Sequence, residues 1–296
     1  MRKHHNSRKY SLTSLLIIAL CVLAALIASR GARERYAVSA MADGVSYVQF
    51  IDVGQGDSAL ISLPSGENVL IDAGPKSSAG KLCNYLNEQD VEKIDLLVLT
   101  HPHEDHIGGA EKVFDLYDVE ELLIPDGTSD SSIYKKTMQS AEDEGCKITT
   151  AKAGMTTSFS NAQFTVLGPV FPEEYDTNNL SIVMTYTYGE TRFIFTGDAE
   201  FPAENDIIDK FGDDMLKSDV LKVGHHGSST STGYGFLSAV SPDFAVISCG
   251  KNNEYGHPHS EILNMLKTAK VDISRTDTEG TIVFSTDGKT VIKCKN

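Results

Sequence analysis

The sequence predicts an α/β domain, a four-layer αββα sandwich, behind an N-terminal transmembrane segment. Three observations lead there. β-rich runs fall into two groups, one in each half of residues 45–296, and each group is interleaved with helical stretches whose apolar face needs a sheet to cover. Of 296 residues, 41% are hydrophobic and 23% charged, ordinary globular usage. Finally, a long uncharged run stands close to the N-terminus. The chain divides into a cytoplasmic tail and signal anchor (1–30), a linker (31–44) and a folded domain (45–296).

Arg2, Lys3, Arg8 and Lys9 precede the uncharged run from Ser11 to Ala28, rich in Leu, Ile, Ala and Val. That length suits a bilayer-spanning helix, whereas the apolar region of a cleaved signal peptide is usually shorter. Val38-Ser39-Ala40 is the small-residue cleavage candidate. It lies well beyond the run, behind Arg30, Arg33, Glu34 and Arg35, which favours a retained anchor over a cut signal. Four basic residues before the run against three after it place the N-terminus inside. The domain is then expected outside the cytoplasm, anchored through 11–28, or secreted if the segment is cleaved.

The first strands are expected at Val45–Ile51, Ala59–Leu63 and Asn68–Ile71, separated by turns rich in Gly, Asp and Pro. Leu82, Tyr85 and Leu86 mark a helix over Ser78–Gln89. Ile94–Thr100 reads as one buried strand. A helix from Gly109 to Tyr117, a strand Glu121–Ile124, a helix Ser131–Glu144 and a strand near Lys147–Thr150 follow. In the second half, strands are expected at Gln163–Leu167, Ser181–Tyr188, Arg192–Thr196, Ser218–Val223 and Phe244–Ser248, with helices at Ala203–Phe211 and Ser260–Ala269. A hairpin, Gly280–Ser285 with Thr290–Lys293, completes that half.

The formal charge of −15 argues against a broad electrostatic grip on nucleic acid, which depends on many Lys and Arg. It leaves room for a nuclease whose metal ions supply positive charge locally. Cys83, Cys146, Cys249 and Cys294 are widely spaced and form no Cys-x-x-Cys pair, which excludes a zinc ribbon and a redox motif of that type. Four lone buried thiols are expected, with disulfides as the alternative.

The chemistry concentrates at His101-Pro102-His103-Glu104-Asp105-His106, directly after the apolar run that ends at Thr100. His101 and His103 can turn toward one ion, and Asp105 and His106 toward a neighbouring one. Imidazole with carboxylate, and without cysteine, suits catalytic zinc, manganese or iron and argues against a structural zinc.

This cluster resembles the His-x-His-x-Asp-His signature of the metallo-β-lactamase superfamily. Phe50–Asp57, Asn178–Val183, Leu221–Ser228 and Tyr255–His259 further resemble the C-terminal hydrolase domain of ComEC competence proteins. The resemblance covers most of 45–296 and leaves out the multispanning channel of those proteins. It implies a hydrolase with one or two divalent ions, zinc first and manganese as the alternative.

In that likeness the metal ligands are His101, His103, Asp105, His106, Asp198 and His225, with His225 preferred over His226. Asp72 orients the ligand loop, Asp198 bridges two ions, and Asp105 also orients water. No histidine lies between His106 and His225, where many superfamily members place the third imidazole of the first site. The first site then has only His101, His103 and Asp198. His257 and His259 are expected to be catalytic, His257 the stronger candidate, protonating a leaving oxygen or stabilising negative charge. Phosphate contacts are expected from Asn179, Lys222 and Ser228, with His226 as a hydrogen-bonded neighbour.

The expected activity is an extracytoplasmic phosphodiesterase or DNA nuclease related to DNA uptake. One alternative is an envelope enzyme acting on teichoic-acid phosphocholine. Another is a non-catalytic module of the same fold that binds a ligand or partner.

Overall fold

The structure, a computed structural model, describes residues 44–295. The expected anchor at 11–28 lies outside the described residues, as does nearly all of the linker. Among the described residues no helix is long and apolar enough to cross a membrane.

Two mixed sheets stack face to face. The first runs in the order Val291–Lys293, Ile282–Thr286, Ser46–Phe50, Ala59–Ser62, Asn68–Ile71, Leu96–Val98, Glu121–Ile124, Lys147–Thr150. Its pairs are antiparallel up to Asn68–Ile71 and parallel beyond it. The second runs Asp272–Arg275, Phe244–Ile247, Val220–Lys222, Thr191–Phe195, Val183–Tyr188, Ala162–Gly168, Thr156–Phe159. Here the first four strands are parallel and the rest antiparallel.

The period-two alternation of side chains explains the four layers. Val69, Ile71, Leu96 and Val98 enter the core between the sheets, while Leu70, Leu97 and Leu99 point outward to an apolar layer under the helices Ala79–Glu88 and Ala110–Leu116. In the second sheet Val220 and Val246 face inward, and Leu221, Ala245 and Ile247 meet the helices Phe201–Leu216, Tyr234–Val240 and Ser260–Thr268. Strands buried on both faces read as continuous apolar runs, as these do. Aromatic rings fill the centre, with Phe50 stacked on Phe195 across the sheets at 5.7 Å. The αββα expectation therefore holds.

Several local expectations do not. The C-terminal hairpin leaves its own half and pairs with Ser46–Phe50, in a register that sets Phe284 opposite Val48 and Ile282 opposite Phe50. All four side chains then share the inter-sheet core, which neighbours in sequence could not signal. Ile94–Thr100 is not one strand. Asp95 turns aside to accept the Asn68 amide through its carboxylate, and Lys93–Ile94 pairs with Asp118–Val119 in a separate ribbon. The polar strand Thr156–Phe159, the short helix Tyr234–Val240 and the strand Asp272–Arg275 carry too little apolar periodicity to be read in advance. Cys83, Cys146, Cys249 and Cys294 are free thiols, but only Cys83 and Cys249 are buried.

Candidate metal centre

The strand ends build the site. Asp72 follows Asn68–Ile71, His101 follows Leu96–Val98, Asp198 follows Thr191–Phe195, and His225 and His226 follow Val220–Lys222. Each of these strands has a parallel neighbour, so the loops at their carboxyl ends open on one side of the sandwich, where α/β sheets bind ligands. Asp72, His225 and His226 all have left-handed backbones, with φ of 59°, 48° and 54°. That conformation is uncommon outside glycine and turns each of these side chains out of its loop.

Two groups of ligand atoms converge. Asp105, His106, Asp198 and His226 form one, and His101, His103 and Asp198 the other. Asp198 stands between them. Its Oδ1 lies 3.2 Å from His106 Nε2 and 3.7 Å from His226 Nε2, while its Oδ2 lies 3.7 Å from both His101 Nε2 and His225 Nε2. His101 Nε2 and His103 Nδ1 approach to 3.0 Å, and His226 Nε2 is 3.1 Å from Asp105 Oδ2. Buried His106 Nε2 and Asp198 Oδ1 have no hydrogen-bond partner. Convergent imidazole and carboxylate atoms with unmet bonding capacity fit divalent cations.

Beneath the ligands lies a layer that fixes them. Asp72 accepts from the Thr100 amide and hydroxyl, both at 2.8 Å, and from His106 Nδ1 at 2.8 Å. The His106 ring is thereby oriented with Nδ1 toward Asp72 and Nε2 toward Asp198. His226 Nδ1 donates to the Ser248 carbonyl at 2.9 Å and lies 3.2 Å from Asp57. Asp57, Asp72 and His106 form a third convergent trio, but Lys222 Nζ sits 2.7 Å from Asp57 and already supplies a cation there. Gly56 lets the chain pass the site, since a Cβ on it would stand 2.3 Å from the Asp105 carbonyl.

Burial and charge set the protonation of this layer. Burial opposes charge on His106, yet Asp198 and Asp72 lift its imidazole well above the ordinary value. His226 is likewise pushed up to about 10, because Asp198 and Asp57 outweigh its burial. Asp57 goes down to about 2, since Lys222 and His226 overcome desolvation. Burial and the neighbouring His106 drive His101 well below its ordinary value, so it is neutral.

His226, expected as a mere neighbour, is the late histidine inside the four-membered group, whereas His225 belongs to none of the groups and stands with Nε2 3.7 Å from Asp198 Oδ2. Three other expectations are corrected. Asn179 faces no cleft; its Oδ1 receives the Glu200 and Ala203 amides at the start of the helix Phe201–Leu216. Lys222 is 4% exposed and committed to Asp57 and the Val223 carbonyl, so it reaches no outside phosphate. The Ser228 hydroxyl closes its own turn by meeting the Thr230 amide and hydroxyl.

The two late histidines part company. His259 spends both ring nitrogens on loops: Nδ1 accepts from the Ser229 amide at 2.9 Å, and Nε2 meets the Tyr255 carbonyl at 3.3 Å. It positions a loop and touches neither metal group. His257 does line the cleft, stacked on Tyr255 at 5.6 Å. Burial, with His226, His225 and His259 beside it, pushes its imidazole down to about 4. At neutral pH it is therefore a hydrogen-bonding group and not an imidazolium acid. Sequence reading missed Asp57, Gln55, Asn178, Glu200 and Tyr255. Gln55, Asp57, Asn178 and Tyr255 stand within the segments Phe50–Asp57, Asn178–Val183 and Tyr255–His259 that carry the family resemblance, whereas Glu200 had no such signal.

A family model described as the metallo-beta-lactamase superfamily matches residues 51–251. ComE operon protein 3 of Bacillus subtilis is 38% identical over 80% of this chain and 32% of its own length. Competence protein ComA of Neisseria gonorrhoeae is 31% identical over 91% of this chain and 38% of its own. Recombination protein 2 of Haemophilus influenzae is 32% identical over 79% of this chain and 28% of its own. The chain thus spans about a third of the length of these relatives. Among solved structures, CmlA, a diiron beta-hydroxylase from Streptomyces venezuelae, superposes with TM-score 0.55 at 13% identity, over 84% of this chain and 54% of CmlA. YhfI of Bacillus subtilis, described as a metallo-beta-lactamase fold protein, gives 0.53 at 13% identity, over 79% of this chain and 98% of YhfI. Both likenesses are of fold alone.

Proposed function

Since this chain belongs to the metallo-beta-lactamase superfamily, we propose that it is a metal-dependent phosphodiesterase that cleaves DNA, anchored through 11–28 and working outside the cytoplasm. The observation that carries this reading is the bridging position of Asp198, one oxygen to each of two ligand groups at the floor of an open cleft. The competence and recombination names of its relatives support DNA as substrate.

The cleft holds about 340 Å³ and is bounded by Gln55, His103, Asp105, Asn178, Tyr255 and His257 among others. Among the described residues no lysine or arginine lines it. Phosphate affinity must then come from resident cations, zinc or manganese, held by His101, His103, Asp105, His106, Asp198 and His226. When bound, such ions supply Lewis acidity toward phosphoryl oxygens and lower the pKa of water.

The chain's own groups do the rest. Asp105, 29% exposed at its side chain, reaches the cleft while His226 steadies it from below, so its carboxylate can orient water. Neutral His257 offers a hydrogen bond at the rim to developing negative charge. Tyr255, 65% exposed, presents a ring beside it on which a nucleobase can stack.

The test is cleavage by the full chain, loaded with manganese or zinc, of single-stranded DNA, duplex DNA and bis(p-nitrophenyl) phosphate. Cleavage is expected, and both cleavage and DNA binding should vanish after chelation. Turnover of neither DNA nor the simple diester ends this reading.

A further inference from the structure

We infer that His225 supplies the third imidazole of the first metal site, replacing the histidine that the chain lacks between His106 and His225. Consecutive histidines then serve different ions, His225 the first and His226 the second. The inference rests on reading the centre as dinuclear.

The two oxygens of Asp198 sort the imidazoles. On the Oδ1 side stand His106 and His226, and on the Oδ2 side His101 and His225, the latter two both at 3.7 Å. Neighbouring residues in an ordinary strand or helix could not aim at two points astride one carboxylate. Here both backbones are left-handed, φ 48° and ψ 47° at His225, φ 54° and ψ 22° at His226, and the rings end up 66° apart in plane.

The surroundings of His225 prepare it as a ligand. Glu200 Oε1 receives the Thr230 hydroxyl proton at 2.8 Å, so that hydroxyl is an acceptor toward His225 Nδ1 at 3.3 Å. Glu200 Oε1 itself lies 3.3 Å from the same Nδ1. Both partners place the ring proton on Nδ1 and leave the Nε2 lone pair facing Asp198. A carboxylate that fixes the far nitrogen is how ligating histidines are normally oriented, and Asp72 does the same for His106. His225 is not in the compact trio of His101, His103 and Asp198 and reaches it through Asp198 Oδ2. Its side chain is 23% exposed and lines the open cleft.

Metal content provides the test. The full chain and its His225→Ala, His226→Ala and His101→Ala variants are dialysed against manganese or zinc, and bound metal is measured by mass spectrometry alongside thermal unfolding of each metal-free protein. Two equivalents are expected in the parent and one in each variant. His101→Ala/His225→Ala should still hold one, whereas His225→Ala/His226→Ala should hold none. Glu200→Gln, which removes the carboxylate behind His225 Nδ1 and leaves every proposed ligand in place, should weaken one site about 10-fold. If His225→Ala keeps two equivalents at parental affinity, the inference is overturned while DNA cleavage remains open. If the parent binds only one metal or none, the inference and the dinuclear reading fall together.

Discussion

Asp72 holds His106 by a 2.8 Å hydrogen bond from Nδ1 in a site where both side chains are almost completely buried. Asp72 does this from a left-handed backbone, with its other oxygen on the Thr100 amide, so one carboxylate ties two strand ends to one imidazole. Asp72→Asn keeps the size and tolerates the backbone, but the amide can present a donor where His106 needs an acceptor. Metal affinity of the second site is expected to fall about 10- to 100-fold. Titration with manganese checks this, and an unchanged affinity would show that packing alone orients His106.

Metal binding should expel protons. In the metal-free chain the carboxylates hold His106 well above the ordinary imidazole value and His226 up to about 10, so both are charged at neutral pH. A cation needs their lone pairs, and apparent affinity should rise about tenfold per pH unit for each proton displaced. Calorimetry at pH 7 in two buffers of different ionisation enthalpy reads the number directly. Equal heats in both buffers would mean that the imidazoles are already neutral.

Lys222 is expected to matter for folding and not for substrate affinity. It is the near cation for Asp57, 2.7 Å away and enclosed with it. Lys222→Met fills similar space but leaves the buried Asp57 carboxylate with His226, 3.2 Å away, as its near cation, which costs up to about 3–5 kcal/mol. Adding Asp57→Asn should restore much of that loss. Urea unfolding of the metal-free proteins measures both steps. A variant that folds normally yet shows a raised KM would return Lys222 to the substrate.

These cases mark where the sequence was legible. Asp72, the His101–His106 cluster and Asp198 could be found because each ends or follows an apolar run, and strand ends are where side chains leave the core. Asp57 with Lys222, 165 positions apart, could not, because a lysine in a short strand looks like a solvent-facing residue until its neighbours are placed. The choice between His225 and His226 depended on two consecutive left-handed residues, which no local pattern announces. Asn179 and His259 looked like chemistry because their residue types are chemical. Their polar atoms instead serve a helix start and a loop. The final hairpin was recognised as a hairpin, but its sheet was set by long-range packing of Ile282 and Phe284.

Glu204 gives the fold its own pH dependence, away from the metal ligands. Its carboxylate accepts the Thr232 and Gly233 amides, pinning the segment after His225-His226 to the helix Phe201–Leu216. Burial dominates these two bonds and raises the carboxyl from 4.5 to about 7. For an acid raised on folding, the contribution to stability is complete below the unfolded value and is lost as pH climbs through the folded one. The wild type should therefore lose up to about 3 kcal/mol between pH 4.5 and 7 through this residue. Glu204→Gln cannot ionise, and whatever constant offset its amide introduces, its stability relative to wild type should improve over that interval. Urea unfolding of both metal-free proteins at pH 5, 6, 7 and 8 supplies the comparison. A gap that stays flat, or widens in favour of wild type with rising pH, would mean that the two amides stabilise the carboxylate at least as much as burial penalises it.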